Sequence, residues 1–556
     1  MMQSYIGHNI QELPLSSPYF RKRVERFLGE NGLRLEAVDV YCAIQDEAGD
    51  ILAGAGLSSD IIKCIAVAPE ARCEGLVAPL VSHLISLASA RGITELKLFT
   101  KPENQAIFES LGFHVLARAP KAILMEKGRG LERYCTYLKG FAREGRCGVV
   151  VMNANPFTLG HRYLLEQAAA RVETLFVIPV KEDVSLFPYA ERLAMIRAGT
   201  DRPVIVLEGS DYQISAATFP TYFLKDLSDA AETQMRLDLD LFARHIAPAL
   251  NASVRFVGSE PFDPLTARYN ELMKEVLPEV VEIPRLETIS ASAVRTALEE
   301  GSFAKAKALC PETTWPYLLA ALAQRALREE LDLPLKPGLV CPESCGAHKD
   351  MDYSTMFTGI RTLRPFWSEM ALASSPEELR QLGIEAEQAM LQATGGVNTH
   401  RGAIFCLGLA VFTGAQTSET EQLIQSSLSQ TAQRIIHNQL KDNTLPSSPA
   451  GRQDARSMAA GGYRALFEDW LPFYRNEASL QKLLLKIMST LDDTCVIKRV
   501  GYERAQDVKK EARELLENFT QDKLKDLCDR YAQEGVSPGG AADMLALTIF
   551  IHSILS

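Results

Sequence analysis

The period of the apolar positions changes twice along the chain, dividing it into three stretches. In residues 1–130, Val38–Ile44, Ile51–Leu57 and Ile61–Val67 read as strands, Ala78–Ala90 as a helix and Leu96–Phe99 as a further strand. Strands on both sides of a helix predict a mixed α/β sheet. Gly128-Arg129-Gly130 offers a joint after it. In residues 131–320, the continuous apolar run Gly148–Met152 reads as a buried strand, followed by a turn over Asn153–Leu159. A helix then starts at Gly160, with Tyr163, Leu164, Ala168 and Val172 apolar. Thr174–Val180, Val204–Leu207 and Val254–Val257 read as further strands, and strand–helix–strand spacing predicts a parallel, doubly wound sheet. From 321 to 556 strand patterns fade. Arg504–Arg530 places Val508, Ala512, Leu515, Leu516 and Phe519 on one helical face, and Ala371–Ala393 and Ser418–Leu440 also read as helices. Thr444–Gln453 reads as a loop, and the stretch as a whole is expected to be all-α.

Composition narrows the function classes. A chain of 556 residues needs about three or four cores. Its 59 basic against 70 acidic side chains, net −11, argue against nucleic-acid binding. The longest apolar stretches, Met544–Leu555 and Ala403–Phe412, are shorter than a membrane span, so no membrane partner is expected. Met1–Ile10 has no secretory pattern, and the eleven scattered cysteines suit reduced thiols in the cytoplasm.

The middle stretch carries the strongest chemical signal. Its buried strand runs through Asn153-Ala-Asn155-Pro-Phe-Thr158-Leu-Gly160-His161 into a helix. Backbone N–H groups and the dipole of such a helix start receive phosphate oxygens. Gly160 would admit the phosphates, Thr158 adds a hydroxyl and His161 an imidazole. Downstream, Ile289-Ser290-Ala-Ser292-Ala-Val-Arg295 starts another helix, with Ser290 or Ser292 as its cap. Arg295, one turn in, could bind phosphate oxygens with its planar fork. Thr158–His161 resembles the T-x-G-H signature of the nucleotidyltransferase superfamily, and Ile289–Arg295 its second motif.

Residues 1–300 resemble the citrate lyase ligases through Asn155–Leu164, Lys181-Glu-Asp183, Phe187-Pro-Tyr189, Ala217–Pro220, Phe256–Phe262 and Ile289–Arg295. The resemblance implies that ATP and acetate give acetyl-AMP and pyrophosphate. The acetyl group then passes to the prosthetic-group thiol of the citrate lyase acyl carrier protein. His161, Arg295 and Mg²⁺ would neutralise the leaving pyrophosphate, and Lys181 would reach the nucleotide from the second strand. The first stretch resembles GNAT-type acetyltransferases, with Arg72-x-x-Gly75-x-Val77 as its pyrophosphate loop and Asn104–Phe113 as its closing segment. Val77 stands where that family usually has Gly or Ala, which implies a structural or pantetheine-docking role rather than acetyl-CoA chemistry.

The third stretch carries Lys336–Val340, Ser344-Cys-Gly-Ala-His348-Lys349-Asp350-Met-Asp352, Gly395–His400-Arg401-Gly402, Asp492-Asp493 and Ser537-Pro-Gly539-Gly540-Ala-Ala-Asp543. Carboxylates converging from several helices could hold Mg²⁺ beside a triphosphate. Asp350, Asp352, Asp492, Asp493 and Asp543 are the candidates, with Lys336, Lys349 and Arg401 as phosphate contacts. These strings resemble the triphosphoribosyl-dephospho-CoA synthases. That resemblance implies attack of a 3′-dephospho-CoA hydroxyl on the nucleoside C1 of ATP, with loss of adenine. His348 or His400 would be the base. The expected whole is a bifunctional enzyme with ATP and Mg²⁺ as cofactors. Two rival readings are a C-terminal metal-dependent phosphohydrolase fused to an adenylyltransferase and a non-catalytic scaffold for lyase assembly.

Overall fold

A computed structural model describes residues 9–72, 74–181, 185–200, 202–213, 227–259, 264–286, 289–417, 420–441 and 455–556. Glu182-Asp183, Ala217–Pro220, Glu260-Pro-Phe262, Ser418 and the Thr444–Gln453 loop lie outside them. The chain forms two compact units, residues 1–154 with 160–287, and residues 155–159 with 288–556.

The first unit contains two sheets. The strands of the first are β1 (Ile10–Glu12), β2 (Val40–Gln45), β3 (Ile51–Ser58), β4 (Ile61–Val67), β5 (Leu96–Thr100), β6 (His114–Arg118) and β7 (Ile123–Lys127), in the order β1-β2-β3-β4-β5-β7-β6. Only β4 and β5 are parallel neighbours, and they pair only at Ile61↔Lys97 and Ile62↔Leu98 before parting. Val77 is the first residue of the helix Val77–Ala90 that follows Gly75.

The strands of the second sheet are β8 (Cys147–Met152), β9 (Thr174–Pro179), β10 (Ile205–Val206), β11 (Ala252–Gly258) and β12 (Val280–Ile283). Their order is β10-β9-β8-β11-β12, and every pairing is parallel. The chain runs outward from β8 to β10 and returns to β11 beside β8. That reversal opens a crevice at the carboxyl ends of β8 and β11, where ligands bind in such sheets. The two sheets share polar ties as well as one apolar core. Tyr134 Oη donates to Glu208 O (3.0 Å), Arg118 N to Asp240 Oδ2 (2.8 Å) and Lys97 Nζ to Asp211 O (3.2 Å). The Gly128–Gly130 joint therefore lies inside one compact unit, where Gly130 opens the helix Gly130–Lys139.

The described residues of the second unit are helical apart from connecting segments. Arg401–Gln416 and Gly539–Ile554 are apolar on nearly all sides and form its centre, with Trp315–Asp332 and Tyr353–Leu372 packed around them. A helix buried all round needs no polar face. Residues 289–332 belong to this unit.

Two predicted helices are broken in the structure. Ala371–Ala393 crosses Ser374-Ser375-Pro376: one helix ends at Leu372 and the next, Pro376–Ala393, starts with Ser375 accepting from Glu378 N (3.2 Å). Proline suits a first helical turn and disfavours helix before it. Arg504–Arg530 is likewise two helices, Tyr502–Glu517 and Gln521–Glu534, with Thr520 capping the second through Lys523 N (3.3 Å). Apolar spacing persists across both breaks because both helices pack on the same core.

Candidate active sites

In the first unit, β8 ends at Met152 and the chain turns through Asn153 and Ala154, the latter at φ 48°. Arg192, from the helix Tyr189–Ala198, is fully buried and fixes this turn. It donates to Asn153 O (2.9 Å), Asn153 Oδ1 (2.8 Å), Val180 O (2.8 Å) and Phe187 O (3.0 Å), tying together the carboxyl ends of β8 and β9. The helix Leu159–Ala169 follows, and Gly160 and His161 lie in its first turn. His161 is half-buried. Burial, reinforced by the Arg285 guanidinium, pushes its pKa down to about 4. Its imidazole is therefore neutral at physiological pH and acts as a hydrogen-bonding group rather than a cation. Lys181, beyond β9, pairs with Asp211 at 3.3 Å on the surface.

The lowered His161 pKa has a defined sign. The folded state resists protonating this ring, so its contribution to stability is intact above the ordinary histidine pKa. That contribution is lost as pH falls from about 6.5 toward 4. A His161→Gln variant should lose less stability than wild type between pH 7 and 4.5. Wild-type pyrophosphate release should show no ionisation near pH 6.5 assignable to this ring. Melting curves and rate profiles across that range check both.

In the second unit, the segment Asn155–Leu159 is held by helices of residues 289–332. Arg295 Nη1 donates to Asn155 O (2.6 Å), Thr314 Oγ1 to Phe157 O (3.0 Å), and Leu159 N to Leu309 O (3.0 Å). Thr158 is buried. Ser290 caps the helix Ala291–Glu299, accepting from Ala293 N (3.0 Å), and its hydroxyl lies 2.9 Å from that of Ser292.

The helical unit also holds two abutting cavities of about 620 and 330 Å³, which share Asn398, Arg401, Gly402, Cys495 and Asp543 in their walls. Asp543 lies against the backbone at the start of the helix Arg401–Gln416. A Cβ on Gly402 would fall 1.9 Å from Asp543 Oδ2, so only glycine allows this approach. Burial, with the neighbouring Asp493 and Glu330 carboxylates, raises the Asp543 pKa well above the usual range. Asp493 is buried and spends both oxygens on helix starts, accepting from Cys495 N (2.8 Å), Val496 N (3.3 Å) and Ala541 N (2.9 Å). Gly539 and Gly540 pass close to Cys495 and Asp493.

The smaller cavity is also lined by His348, Asp350, His400, Arg499 and Ser537. Arg499 Nη2 lies 3.2 Å from His348 Nδ1, and a guanidinium can only donate. His348 Nδ1 is therefore the acceptor, and Nε2–H donates to Ser537 Oγ at 2.8 Å. Burial and Arg499 lower the His348 pKa. His400 is buried, with Nδ1 at 2.9 Å from Thr399 Oγ1 and no hydrogen-bond partner for Nε2 among the described residues. Burial and Lys336 push its pKa down to about 3.

The other expected residues are placed differently. Lys336 forms a buried ion pair with Glu330 (2.5 Å). Arg401 pairs with Glu387, Lys349 is exposed, and Asp492 is bound to Lys509 (2.7 Å) away from both cavities. Asp352 is the N-cap of Tyr353–Leu372, accepting from Thr355 N and Oγ1 at 2.8 Å, and these bonds lower its pKa. Among the described residues no three His, Cys, Asp or Glu side chains converge on a metal position. The five aspartates thus do not form the expected cluster: Asp350 and Asp543 line the smaller of the two abutting cavities, and Asp492 and Asp493 lie together elsewhere. A capping role for Asp352 predicts that Asp352→Ala lowers stability and leaves adenine release within about threefold of wild type. Urea melts and the rate assay check it.

Arg192 and Arg499 had no local sequence signal, because Arg192 holds Asn153 and Arg499 meets His348, 39 and 151 residues away in the chain.

A five-stranded parallel sheet whose strand β8 runs through a turn into a helix start, followed by a helical unit with a paired cavity, defines a two-part architecture. Residues 147–318 match the family described as citrate lyase ligase C-terminal domain, and residues 316–556 match ATP:dephospho-CoA triphosphoribosyl transferase. The chain is 43% identical to "[Citrate [pro-3S]-lyase] ligase" of Klebsiella pneumoniae, over 54% of this chain and 92% of that protein. It is 35% identical to a "Probable 2-(5''-triphosphoribosyl)-3'-dephosphocoenzyme-A synthase" of Azotobacter vinelandii, over 44% of this chain and 94% of that protein. Among solved structures it is similar to an acyl-CoA N-acyltransferase from Pseudomonas aeruginosa. That match has 15% identity and a TM-score of 0.20, and covers 22% of this chain and 99% of that one. The chain belongs to the citrate lyase ligases through its first part and to the triphosphoribosyl-dephospho-CoA synthases through its second, and is a bifunctional enzyme of citrate lyase maturation.

Proposed function

We propose that the α/β part activates acetate with ATP and that the helical part joins ATP to 3′-dephospho-CoA. In the first reaction an acetate oxygen attacks the α-phosphorus and the bond to the bridging oxygen of pyrophosphate breaks. Pyrophosphate leaves with the electron pair. The acetyl group of acetyl-AMP then passes to the prosthetic-group thiol of the citrate lyase acyl carrier protein, and AMP leaves. This chemistry needs charge neutralisation on pyrophosphate rather than a strong base. The helix start at Gly160 offers backbone N–H groups, His161 a neutral hydrogen bond and Lys181 positive charge; Arg295 is the residue that the second motif assigns to the phosphates.

In the second reaction a dephospho-CoA ribose hydroxyl attacks the nucleoside C1 of ATP. The bond to adenine breaks, adenine leaves with the electron pair, and the triphosphate stays on the product. Asp543, as the ionised carboxylate, opposes the positive charge that develops at C1 and accepts the hydroxyl proton. His400 Nε2 orients the hydroxyl, and Arg401 and Arg499 face the triphosphate. Mg²⁺ is held beside phosphates by one or two carboxylates, and Asp350, exposed on the cavity wall, fits that requirement. Bound there, the ion would screen the triphosphate charge. The reaction belongs in the cytoplasm, in keeping with free thiols at all ten described cysteines. No helix among the described residues is long and apolar enough to cross a membrane.

The observation that carries the synthase reading is the pair of cavities meeting at Asp543, which gives two substrates room on either side of one carboxylate. The test is incubation with ATP, Mg²⁺ and dephospho-CoA. Free adenine is the expected product; phosphate release without adenine would contradict the reading.

A further inference from the structure

The first unit contains a cavity of about 260 Å³ beside the carboxyl ends of β8 and β9, lined by Met152, Asn153, Ile178 and Val180 from those strands and the residues just after them. Its far wall includes Met235 and Phe242. Arg255, from the middle of β11, is 5% exposed and reaches this space. Its guanidinium lies 4.3 Å from the centre of the Phe242 ring. Nη2 is 3.5 Å from Tyr269 Oη, and that hydroxyl donates to Asp238. Nε and Nη1 have no hydrogen-bond partner among the described residues. A buried guanidinium with unused donors is costly unless an anion completes it. Asp238 also lines the cavity, and its carboxylate accepts from Tyr269 Oη.

We propose that Arg255 binds the carboxylate of the acyl substrate and that this cavity sets acyl chain length. This rests on the acetate-activating reading given above. A small, mostly apolar space with one buried cation selects a short monocarboxylate: the charge goes to Nε and Nη1, and the methyl group to Ile178, Met235 and their neighbours. Asn153, in the same wall, begins the turn that leads to the phosphate-receiving helix, so the cavity lies next to the segment expected to hold ATP.

The test is steady-state pyrophosphate release by the full chain, with the thiol form of citrate lyase present and acetate and ATP varied separately. A hydrogen bond to a charged group corresponds to roughly a 10- to 100-fold effect on affinity. Arg255→Gln should raise the acetate KM by about that factor and change the ATP KM by less than about twofold. Arg255→Lys, which keeps a cation, should recover most of the loss. Met235→Ala should shift kcat/KM from acetate toward butyrate by about tenfold or more, since even one methylene of substrate in an apolar pocket has that order of effect. It also decides the matter if Arg255→Gln fails to fold. Unchanged acetate KM in folded Arg255→Gln, or unchanged chain-length selectivity in Met235→Ala, overturns the assignment and leaves acetate activation standing. Absence of acetate-dependent pyrophosphate release in wild type removes the underlying reading instead.

Discussion

Asp543→Asn should lower adenine release from ATP and dephospho-CoA by about 10³-fold, the upper range for loss of a preorganised charge at a reacting centre. The amide keeps the shape and can still accept the Ala403 N–H bond, but it neither opposes a positive C1 nor takes a proton. Stability should move the other way. The raised pKa means the folded state holds the Asp543 proton more tightly than the unfolded chain does. Between the ordinary carboxylate pKa and the raised one, wild-type stability therefore falls as pH rises. Asparagine is neutral throughout, so the variant should melt at or above the wild-type temperature at pH 8. A variant that is both inactive and less stable would make Asp543 a structural residue.

Arg295→Ala should lower acetate-dependent pyrophosphate release by about 10²–10³-fold through loss of charge stabilisation. The side chain also bonds Asn155 O at 2.6 Å, so alanine removes a loop tie as well as a charge. Arg295→Lys separates the two: it keeps the charge but not the planar fork, and should recover part of the rate. Unchanged pyrophosphate release in Arg295→Ala would exclude this arginine from the nucleotide site. Adenine release should stay within about twofold of wild type in both variants.

What the sequence made legible was local. The Gly148–Met152 strand, the turn, and the helix that follows announce themselves through an apolar run, a proline and a glycine within about 20 residues. Ser290 is a cap that can be read three residues ahead of the N–H it accepts. Asp352 shows the opposite outcome of the same locality: an aspartate among other polar residues looks like a ligand until the Thr355 N–H and hydroxyl it serves are seen. The broken helices at Ser375-Pro376 and Thr520 were hidden because apolar spacing reports the face a segment buries, not where its backbone stops. Arg192, Arg255 and Arg499 were not legible. Each matters through groups brought near by folding, and a single arginine within a strand or helix reads as solvated surface. The Asp543–Gly402 approach joins residues about 140 apart in sequence, so neither glycine nor aspartate alone reveals it.

On this reading one chain runs two nucleotide chemistries with two separate residue sets. The direct measurement assays adenine and pyrophosphate together, in a reaction holding ATP, Mg²⁺, acetate, dephospho-CoA and the thiol form of citrate lyase. Wild type, Asp543→Asn and Arg295→Ala are compared at equal concentration. Wild type should form both products, Asp543→Asn only pyrophosphate and Arg295→Ala only adenine. Loss of both products in either folded variant, or phosphate in place of adenine from wild type, would contradict the account.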